Sequence, residues 1–283
     1  GGGDVHFTSS IDHGQTFTNF STVNQVENHA ITIGFSGPQI EVWRDTIHVI
    51  WSDQRNGYDH STIYYAQSID QGLTWEEMRI GYPNGVNFYP ELLIDSQGIL
   101  HVSFHYYLPG SFAYQYIAHT YSSDGGESWS NFNIVSDYES GEPCDCCPVE
   151  LHEMPDGKII NGFRNNENNI RDMFSMDWHP EDSSWINLSP MSYDDYFVNY
   201  CPTSGPSLVS LDSIVAMAYM SETNSENRIF LTLSHDLGDT FSVRIPMEMT
   251  SGVNYHQNHP SAVMTQDGNI HVIWEDSRNF GNI

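Results

Sequence analysis

The chain has 283 residues, with 9 Lys and Arg against 37 Asp and Glu, which gives a formal net charge of −28 at pH 7. This charge excludes a protein that grips nucleic-acid phosphates, because no basic surface offsets the repulsion. No apolar run is long enough to cross a bilayer, so membrane insertion is not expected. Aromatic residues make up 13% of the chain, far more than a disordered protein carries.

One octet recurs along the chain in the pattern Ser-x-Asp-x-Gly-x-Thr/Ser-aromatic. Intact copies occupy residues 10–17, 68–75, 122–129 and 234–241, and a decayed copy begins at Ser175. Ser and Asp side chains bond to turn amides and Gly adopts a positive φ, so each octet predicts a hairpin turn. The aspartates given this structural role are Asp12, Asp70, Asp124, Asp177 and Asp236.

Strand-like segments surround each octet. The alternation in residues 62–66 and 229–233 runs directly into an octet, and a proline opens an apolar strand earlier in each unit. These prolines are Pro38, Pro90, Pro148, Pro206 and Pro260. Each unit therefore predicts three or four short antiparallel strands, which is the composition of a propeller blade.

The spacing of the octets predicts a closed ring. Their aspartates are 58, 54, 53 and 59 residues apart, and the step from Asp236 through the end of the chain to Asp12 is 59 again. We therefore predict an all-β, single-domain, five-bladed β-propeller whose last blade is closed by N- and C-terminal strands together. The predicted blades are residues 31–80, 87–135, 144–190, 199–246, and 256–283 combined with 1–20.

The octet resembles the Asp-box, or BNR repeat, of sialidase-like propellers, and its copies cover nearly the whole chain. The segment from Cys144 to Pro148, with Arg164, Arg171 and Cys201, is similar to uncharacterised secreted bacterial proteins labelled exo-α-sialidase. The resemblance implies that the boxes lie on outer turns, away from the active face. It also implies a tyrosine nucleophile activated by a Glu, as in sialidases. Candidate tyrosines are Tyr200, Tyr219 and Tyr255.

Three arginines share one repeat position on the expected box-free face, namely Arg55, Arg164 and Arg278. Converging guanidinium groups bind carboxylates or sulfates in a bidentate manner, so they predict anion binding. Asp53 and Asp276 each lie two residues before an arginine, which places both side chains on one face of a strand. Structural Asp–Arg pairs are therefore the alternative interpretation.

General acid–base catalysis requires carboxyl groups, or a carboxyl group with a histidine, facing one cleft. On the expected face we select Asp53, His105 and Asp276 as catalytic candidates. These residues and the arginines lead to our main hypothesis, a carbohydrate-active propeller that binds or acts on an anionic glycan, as a sialidase-like glycoside hydrolase. A non-catalytic lectin-like or adhesion propeller is the alternative, and a thiol-metal protein is a further one.

The four cysteines, Cys144, Cys146, Cys147 and Cys201, lie just before Pro148 and Pro206. A disulfide from the first cluster to Cys201 would join two neighbouring blades, and the remaining two could pair locally. A thiolate site for Zn²⁺ or Cu(I) is the competing interpretation. Disulfides suit a secreted, periplasmic or cell-surface protein. No cofactor is required by the sequence, although the acidity is compatible with Ca²⁺, and no oligomeric state is predicted.

Overall fold

The computed structural model describes residues 2–31, 36–108, 115–136, 141–223, 225–248 and 255–278. Parts of four predicted blades, namely residues 32–35, 109–114, 224, and 279–283 with residue 1, lie outside this range. The described structure is all-β, as predicted, with one short 3₁₀ turn at Tyr58–His60. None of its helical segments is long and apolar enough to cross a membrane. The chain divides into two compact units, Gly1–Asn133 and Ile134–Ile283.

The first unit contains a short hairpin and two four-stranded antiparallel sheets. In the hairpin, β1 (His6–Phe7) pairs with β2 (Ser21–Thr22). The first sheet has the order β3 (Gln39–Trp43), β4 (Thr46–Asp53), β5 (Thr62–Ser68) and β6 (Glu76–Arg79). The second has the order β7 (Val86–Ile94), β8 (Leu100–Tyr107), β9 (Gln115–Ser122) and β10 (Asn133–Ile134), with β10 at the boundary between the units.

The second unit contains two larger sheets and one strand pair. The first sheet consists of β11 (Glu142–Pro143), β12 (Glu150–Glu153), β13 (Ile159–Asn166), β14 (Met173–His179) and β15 (Ser184–Pro190), and both β11 and β12 pair with β13. The next has the order β16 (Ser207–Leu211), β17 (Ile214–Thr223), β18 (Glu226–Ser234) and β19 (Ile245–Pro246). The last pairs β20 (Gln257–Met264) with β21 (Ile270–Asp276).

The second strand of each larger sheet forms the core. Every residue of β8 is buried, and β4, β13 and β17 are buried along nearly their whole length. β17 is apolar from Val215 to Met220, whereas β8 and β13 also bury polar side chains such as His105 and Arg164. By contrast, β21 alternates between partly buried and exposed residues. The described partner of β1 is β2 and that of β21 is β20, so the closure of the last blade stays a prediction.

The octets form the turns between the third and fourth strands of three sheets, and one more joins β1 to β2. In the copy at 68–75, Ser68 Oγ donates to Asp70 Oδ1 at 2.8 Å, and Gly72 N donates to Ser68 Oγ at 2.8 Å. Thr74 donates to Asp70 through both its backbone amide and its hydroxyl group, at 2.9 and 2.6 Å. Asp12, Asp124 and Asp236 make the same set of bonds.

These bonds alter the acidity of the aspartates. Hydrogen bonds from the hydroxyl group and the amide four residues later lower the pKa of Asp12, Asp70, Asp124 and Asp236 to about 2. The glycine in each octet has φ between 81° and 95°, which a side chain rarely tolerates. The octets are therefore structural elements held by a charged acceptor.

Asp177 departs from the predicted role. It lies inside β14, where it is paired with Ile186 of β15, instead of in a turn. Its carboxylate accepts a hydrogen bond from Asn187 Nδ2 at 3.2 Å and lies 3.8 Å from Lys158 Nζ. No glycine follows Asp177 at the octet spacing, so the strand continues to His179 and the decayed copy forms no box.

Two adjacent glycines in the octet at 122–129 provide a matched test. Both have positive φ, but a Cβ on Gly125 would meet nothing, whereas a Cβ on Gly126 would lie 2.0 Å from the Tyr65 hydroxyl oxygen. We expect Gly125→Ala to cost about 1 kcal/mol of unfolding free energy from backbone strain alone. Gly126→Ala should cost about 3 kcal/mol because overpacking adds to the strain. Chemical denaturation measures both free energies of unfolding, and equal losses for the two variants would contradict the close approach of Gly126 to Tyr65.

Candidate functional site

Two of the three predicted anion-binding arginines are held by carboxylates. Arg55 donates to Asp53 through Nε and Nη2, both at 2.9 Å, and to Glu77 Oε1 through Nη1 at 2.6 Å. Arg278 repeats this arrangement with Asp276 and Glu248, at 2.9 Å from its Nε to Asp276 and from its Nη1 to Glu248. Each guanidinium group therefore faces two carboxylates, a local charge that repels a further anion.

The guanidinium group of the third arginine, Arg164, is bound by backbone carbonyl oxygens instead of carboxylates. Arg164 is 1% exposed, and its guanidinium group donates to the carbonyl oxygens of Ser204, Arg171 and Met220 at 2.9, 2.6 and 2.7 Å. These bonds tie together three segments of the second unit. The structure thus gives Arg164 a scaffold role, and for Arg55 and Arg278 it shows the Asp–Arg pairs that were the alternative interpretation.

The predicted catalytic carboxyl groups take part in these same pairs. Burial raises the pKa of Asp53, but hydrogen bonds from Arg55 and Trp51 outweigh it and lower the pKa overall. Hydrogen bonds from Arg278 lower the pKa of Asp276 strongly, against a smaller effect of burial. A general acid must be protonated near neutral pH. Asp53 and Asp276 are therefore ionised partners of Arg55 and Arg278 and do not serve as general acids, and any other catalytic role for them stays a prediction.

His105, the third catalytic candidate, lies within β8 and is 1% exposed. Its ring packs edge-on against Tyr89 with centroids 5.5 Å apart, and it stacks on Tyr107 at 6.3 Å. A side chain enclosed in this way does not reach a substrate. The aromatic surroundings make His105 part of the core of the second sheet.

Two of the tyrosines suggested as nucleophiles, Tyr219 and Tyr255, are buried. Burial raises the pKa of Tyr219, which lines a pocket of about 280 Å³ with its hydrogen-bond partner Asp194. Burial also raises the pKa of Tyr255, and Glu248 is its hydrogen-bond partner. Each phenol therefore has a carboxylate beside it, as an activated phenol needs, but neither has a lowered pKa. Tyr200 is exposed.

The cysteines converge in the second unit. Cys146 and Cys201 form a disulfide with Cα atoms 6.3 Å apart, so it connects the segments ahead of β12 and β16. Cys144 and Cys147 lie outside this disulfide and are buried, and their sulfur atoms lie 2.7 Å apart across a turn in which Cys147 N donates to Cys144 O. All four sulfur atoms lie within 4.8 Å of one another.

The pKa values of the two thiols are shifted in opposite directions. Burial raises the pKa of Cys144, but the hydrogen bond with Cys147 and the charges of Arg171 and Arg164 lower it to about 7 overall. Arg171 Nη1 donates to the Cys144 sulfur at 3.0 Å. Burial raises the pKa of Cys147. With Cys146 and Cys201 in a disulfide, two sulfurs remain for a metal ion, which does not satisfy the four-ligand requirement of a structural Zn²⁺ site.

Sequence reasoning did not select three groups that the structure brings forward. Glu77 and Glu248 complete the arginine pairs, and they lie 22 and 30 residues from their partners, so no local spacing indicated them. Glu150, on β12, is the one described carboxyl group whose pKa burial raises to about 8. The sequence places Glu150 among the titratable residues of the expected box-free face, but no spacing distinguishes it from the others there.

A family model described as the BNR repeat-like domain matches residues 41–272. The match covers most of the chain, so the chain belongs to this family. Among curated proteins, none matches the chain.

Several solved structures are similar in fold. A protein of unknown function from Dyadobacter fermentans is 15% identical, with a TM-score of 0.58 over 87% of this chain and 75% of that one. Trypanosoma rangeli sialidase in complex with sialic acid is 12% identical, with a TM-score of 0.58 over 96% of this chain. This chain spans 46% of that sialidase. An α-L-arabinofuranosidase from Lactobacillus brevis is 12% identical, with a TM-score of 0.52 and coverage of 85% and 83%.

The two Asp–Arg pairs differ in burial, which gives a second matched test. The Asp53 side chain is 0% exposed, whereas the Asp276 side chain is 19% exposed. We expect Asp53→Asn to lower the free energy of unfolding by about 3 kcal/mol, because it removes one partner of a buried ion pair. Asp276→Asn should cost less than about 1 kcal/mol. An equal loss for both variants would show that burial does not control these pairs.

The cysteine arrangement predicts a defined thiol count. Alkylation of the unfolded, unreduced protein should modify two thiols per chain, Cys144 and Cys147, and reduction should expose all four. In the native protein we expect neither thiol to react quickly because both are buried. Intact mass and peptide mapping measure each state. Four thiols without reduction would favour the metal interpretation, and none would indicate a second disulfide.

Proposed function

We propose that this chain is a carbohydrate-active propeller that hydrolyses a glycosidic bond. Its membership of the BNR repeat-like family and its fold similarity to a sialidase and an arabinofuranosidase support this proposal. The finer architecture that we propose is a five-bladed ring completed by the N-terminal strand. The octets at residues 10–17, 68–75, 122–129 and 234–241, with their even spacing, support that count.

The observation that carries the enzymatic proposal is the environment of Glu150. Its carboxyl group is partly buried on β12, where Oε1 accepts a hydrogen bond from Leu208 N of β16 at 3.3 Å. Burial raises its pKa to about 8, against the smaller lowering by that bond. Glu150 therefore carries a proton at neutral pH. A protonated carboxyl group is what a glycosidase uses to donate a proton to the departing oxygen.

A histidine with a lowered pKa lies beside Glu150. His152 is two residues later on β12, so both side chains share one face of the strand. Burial lowers the pKa of His152 to about 4, and its Nε2 lies 2.8 Å from Ser210 Oγ. The ring is therefore neutral when Glu150 is protonated. A neutral base beside a neutral acid provides the two proton-transfer groups that glycoside hydrolysis requires.

The sequence and the structure lead to different expectations for the charge of the glycan. The sequence predicts an anionic glycan through Arg55, Arg164 and Arg278. All three are occupied by internal carboxylates or carbonyl oxygens, and the chain carries a net charge of −28. These contacts favour a neutral glycan over an acidic one, so both belong in the substrate screen.

An exported location is part of the proposal. The disulfide between Cys146 and Cys201 supports an oxidising compartment, such as the periplasm, the cell surface or the medium. The acid–base mechanism proposed here uses Glu150 and His152 and requires no cofactor.

The test begins with a screen of 4-methylumbelliferyl glycosides, including sialosides and arabinofuranosides, and of neutral and sulfated polysaccharides. With the glycan that is cleaved, Glu150→Gln should lower kcat/KM at least about 100-fold, because the leaving oxygen loses its proton donor. With a dinitrophenyl glycoside of the same sugar the loss should be below about 10-fold, since that leaving group needs little protonation. Glu153→Gln, on the opposite face of the same strand, is the matched control.

Each outcome has a clear meaning. Equal losses on both leaving groups would remove Glu150 from the role of general acid. Glycan binding without turnover would replace the hydrolase with the lectin-like alternative. Thermal melting of each variant shows whether a loss of activity reflects unfolding.

A further inference from the structure

The four cysteine sulfur atoms form one compact group that the proposed glycosidase site does not use. All four lie within 4.8 Å of one another. Cys146 and Cys201 carry the disulfide, and Cys144 and Cys147 lie near it with their own sulfur atoms 2.7 Å apart. A thiolate exchanges with a disulfide by attacking one of its sulfur atoms, so a dithiol this close to a disulfide is placed for that reaction.

The two pairs of cysteines differ in their access to solvent. Cys144 and Cys147, the inner pair, are each 1% exposed, whereas Cys146 and Cys201, the outer pair, are only partly buried. A reagent outside the protein therefore meets the disulfide before it meets the thiols. Reaction of the inner pair with such a reagent requires either local opening of the fold or transfer through the outer pair.

Polar groups stabilise the ionised form of one inner sulfur atom. Burial raises the pKa of Cys144, but hydrogen bonds from the Cys147 thiol and the Cys146 backbone amide and the charges of Arg171 and Arg164 lower it to about 7 overall. Arg171 Nη1 donates to the Cys144 sulfur at 3.0 Å. About half of this sulfur is therefore thiolate at neutral pH, and the thiolate is the form that attacks a disulfide.

A structural disulfide accompanied by two space-filling cysteines does not account for these contacts. A buried cysteine that serves only as a small apolar side chain is inert, because apolar surroundings raise its pKa. Cys144 instead has a buried guanidinium group on its sulfur atom. Arg171 is 7% exposed, and its Nε donates to Val198 O at 3.2 Å, which holds that guanidinium group in place.

We propose that the four cysteines form a thiol–disulfide exchange centre, in which the inner pair passes two electrons through the outer pair to the disulfide of an external peptide or small thiol. The contact between a buried dithiol and a partly exposed disulfide carries this proposal. The centre does not depend on Glu150 or His152, so it stands or falls separately from the proposed glycosidase.

The first two steps take place within the chain. The Cys144 thiolate bonds to Cys201 Sγ, and the bond to Cys146 breaks with its electron pair on Cys146. Cys201 is the target because a bond from Cys144 to Cys146, two residues away, would close a small, strained ring. Cys147 then gives its proton to the Cys146 thiolate and bonds to Cys144 Sγ, which releases Cys201 as a thiolate. The disulfide now joins the inner pair, and no electron has left the protein.

The remaining steps consume the external disulfide. The Cys201 thiolate bonds to one of its sulfur atoms, and the other sulfur leaves as a thiolate, which takes the proton of Cys146. Cys146 then bonds to Cys201 Sγ and releases the second external thiolate. The chain ends with two disulfides and has lost two electrons, and the external disulfide has gained them as one thiol and one thiolate.

The test uses the full chain in its form with two thiols, iodoacetamide under native conditions, and peptide mapping without reduction. Exchange presents Cys146 and Cys201 to the probe, so we expect about 10-fold more label on this outer pair than on the buried inner pair. The remaining disulfide should then join Cys144 to Cys147. Label confined to the inner pair would overturn the proposal. So would an unlabelled native chain whose unfolded form still takes up two labels, or a chain whose four thiols hold a metal ion.

Two serine variants separate the internal steps. Cys144→Ser removes the attacking thiolate and should abolish labelling of the outer pair. Cys147→Ser permits only the first step, so the label should fall on Cys146 while Cys144 is joined to Cys201. With oxidised glutathione, the wild type should release two glutathione molecules per chain and Cys144→Ser none. Cys147→Ser should release one and retain the other on Cys146. Labelling of the outer pair in Cys144→Ser would contradict the proposed order of attack.

The pH dependence tests Arg171 as a positioning residue. The initial rate of glutathione release should rise about 10-fold per pH unit below about 7 and level off above it, as the Cys144 thiolate forms. Arg171→Gln should lower the rate at pH 7 about 10-fold and move the levelling to higher pH. Arg244→Gln, which removes an arginine of the same unit that is paired with Asp194, is the matched control. An unchanged profile in Arg171→Gln would remove Arg171 from this role. Thermal melting identifies variants that fail to fold, and the mapped label on the wild type decides the question in that event.

Discussion

The structure depends on a carboxylate that accepts hydrogen bonds from its own turn. In each intact octet, an aspartate binds the amide and the hydroxyl group of the residue four positions later, while a serine receives the glycine amide. A turn amide left without a partner is costly, and a charged acceptor satisfies it strongly. These bonds close the hairpins between the third and fourth strands of three sheets.

A second constraint is the shortage of positive charge. The chain has eight arginines and one lysine. Most of the guanidinium groups described above serve to hold backbone segments or to neutralise buried carboxylates, as Arg164 and Arg55 do. A chain that uses its cations internally has few left for an acidic ligand, which is why the repeated arginines look like a binding site in sequence and act as a scaffold in structure.

The sequence predicted what is local and missed what depends on register. The octet turns involve residues within seven positions, and the Asp53–Arg55 and Asp276–Arg278 pairs need only strand alternation. The acids Glu77 and Glu248 join these pairs through the pairing of distant strands, which composition and spacing do not define. The predicted turn role of Asp177 was wrong because an aspartate that lacks the octet glycine is compatible with a continuing strand.

The acidity of the octet aspartates has a consequence for how the protein responds to acid. In the folded chain these carboxylates stay ionised down to about pH 2, whereas an unfolded aspartate takes up its proton near 3.8. The stabilisation that they give is complete above pH 3.8 and is lost as the pH falls from there to about 2. The octet turns should thus keep their internal hydrogen bonds until the pH falls below about 3.8, and they should open as it approaches about 2.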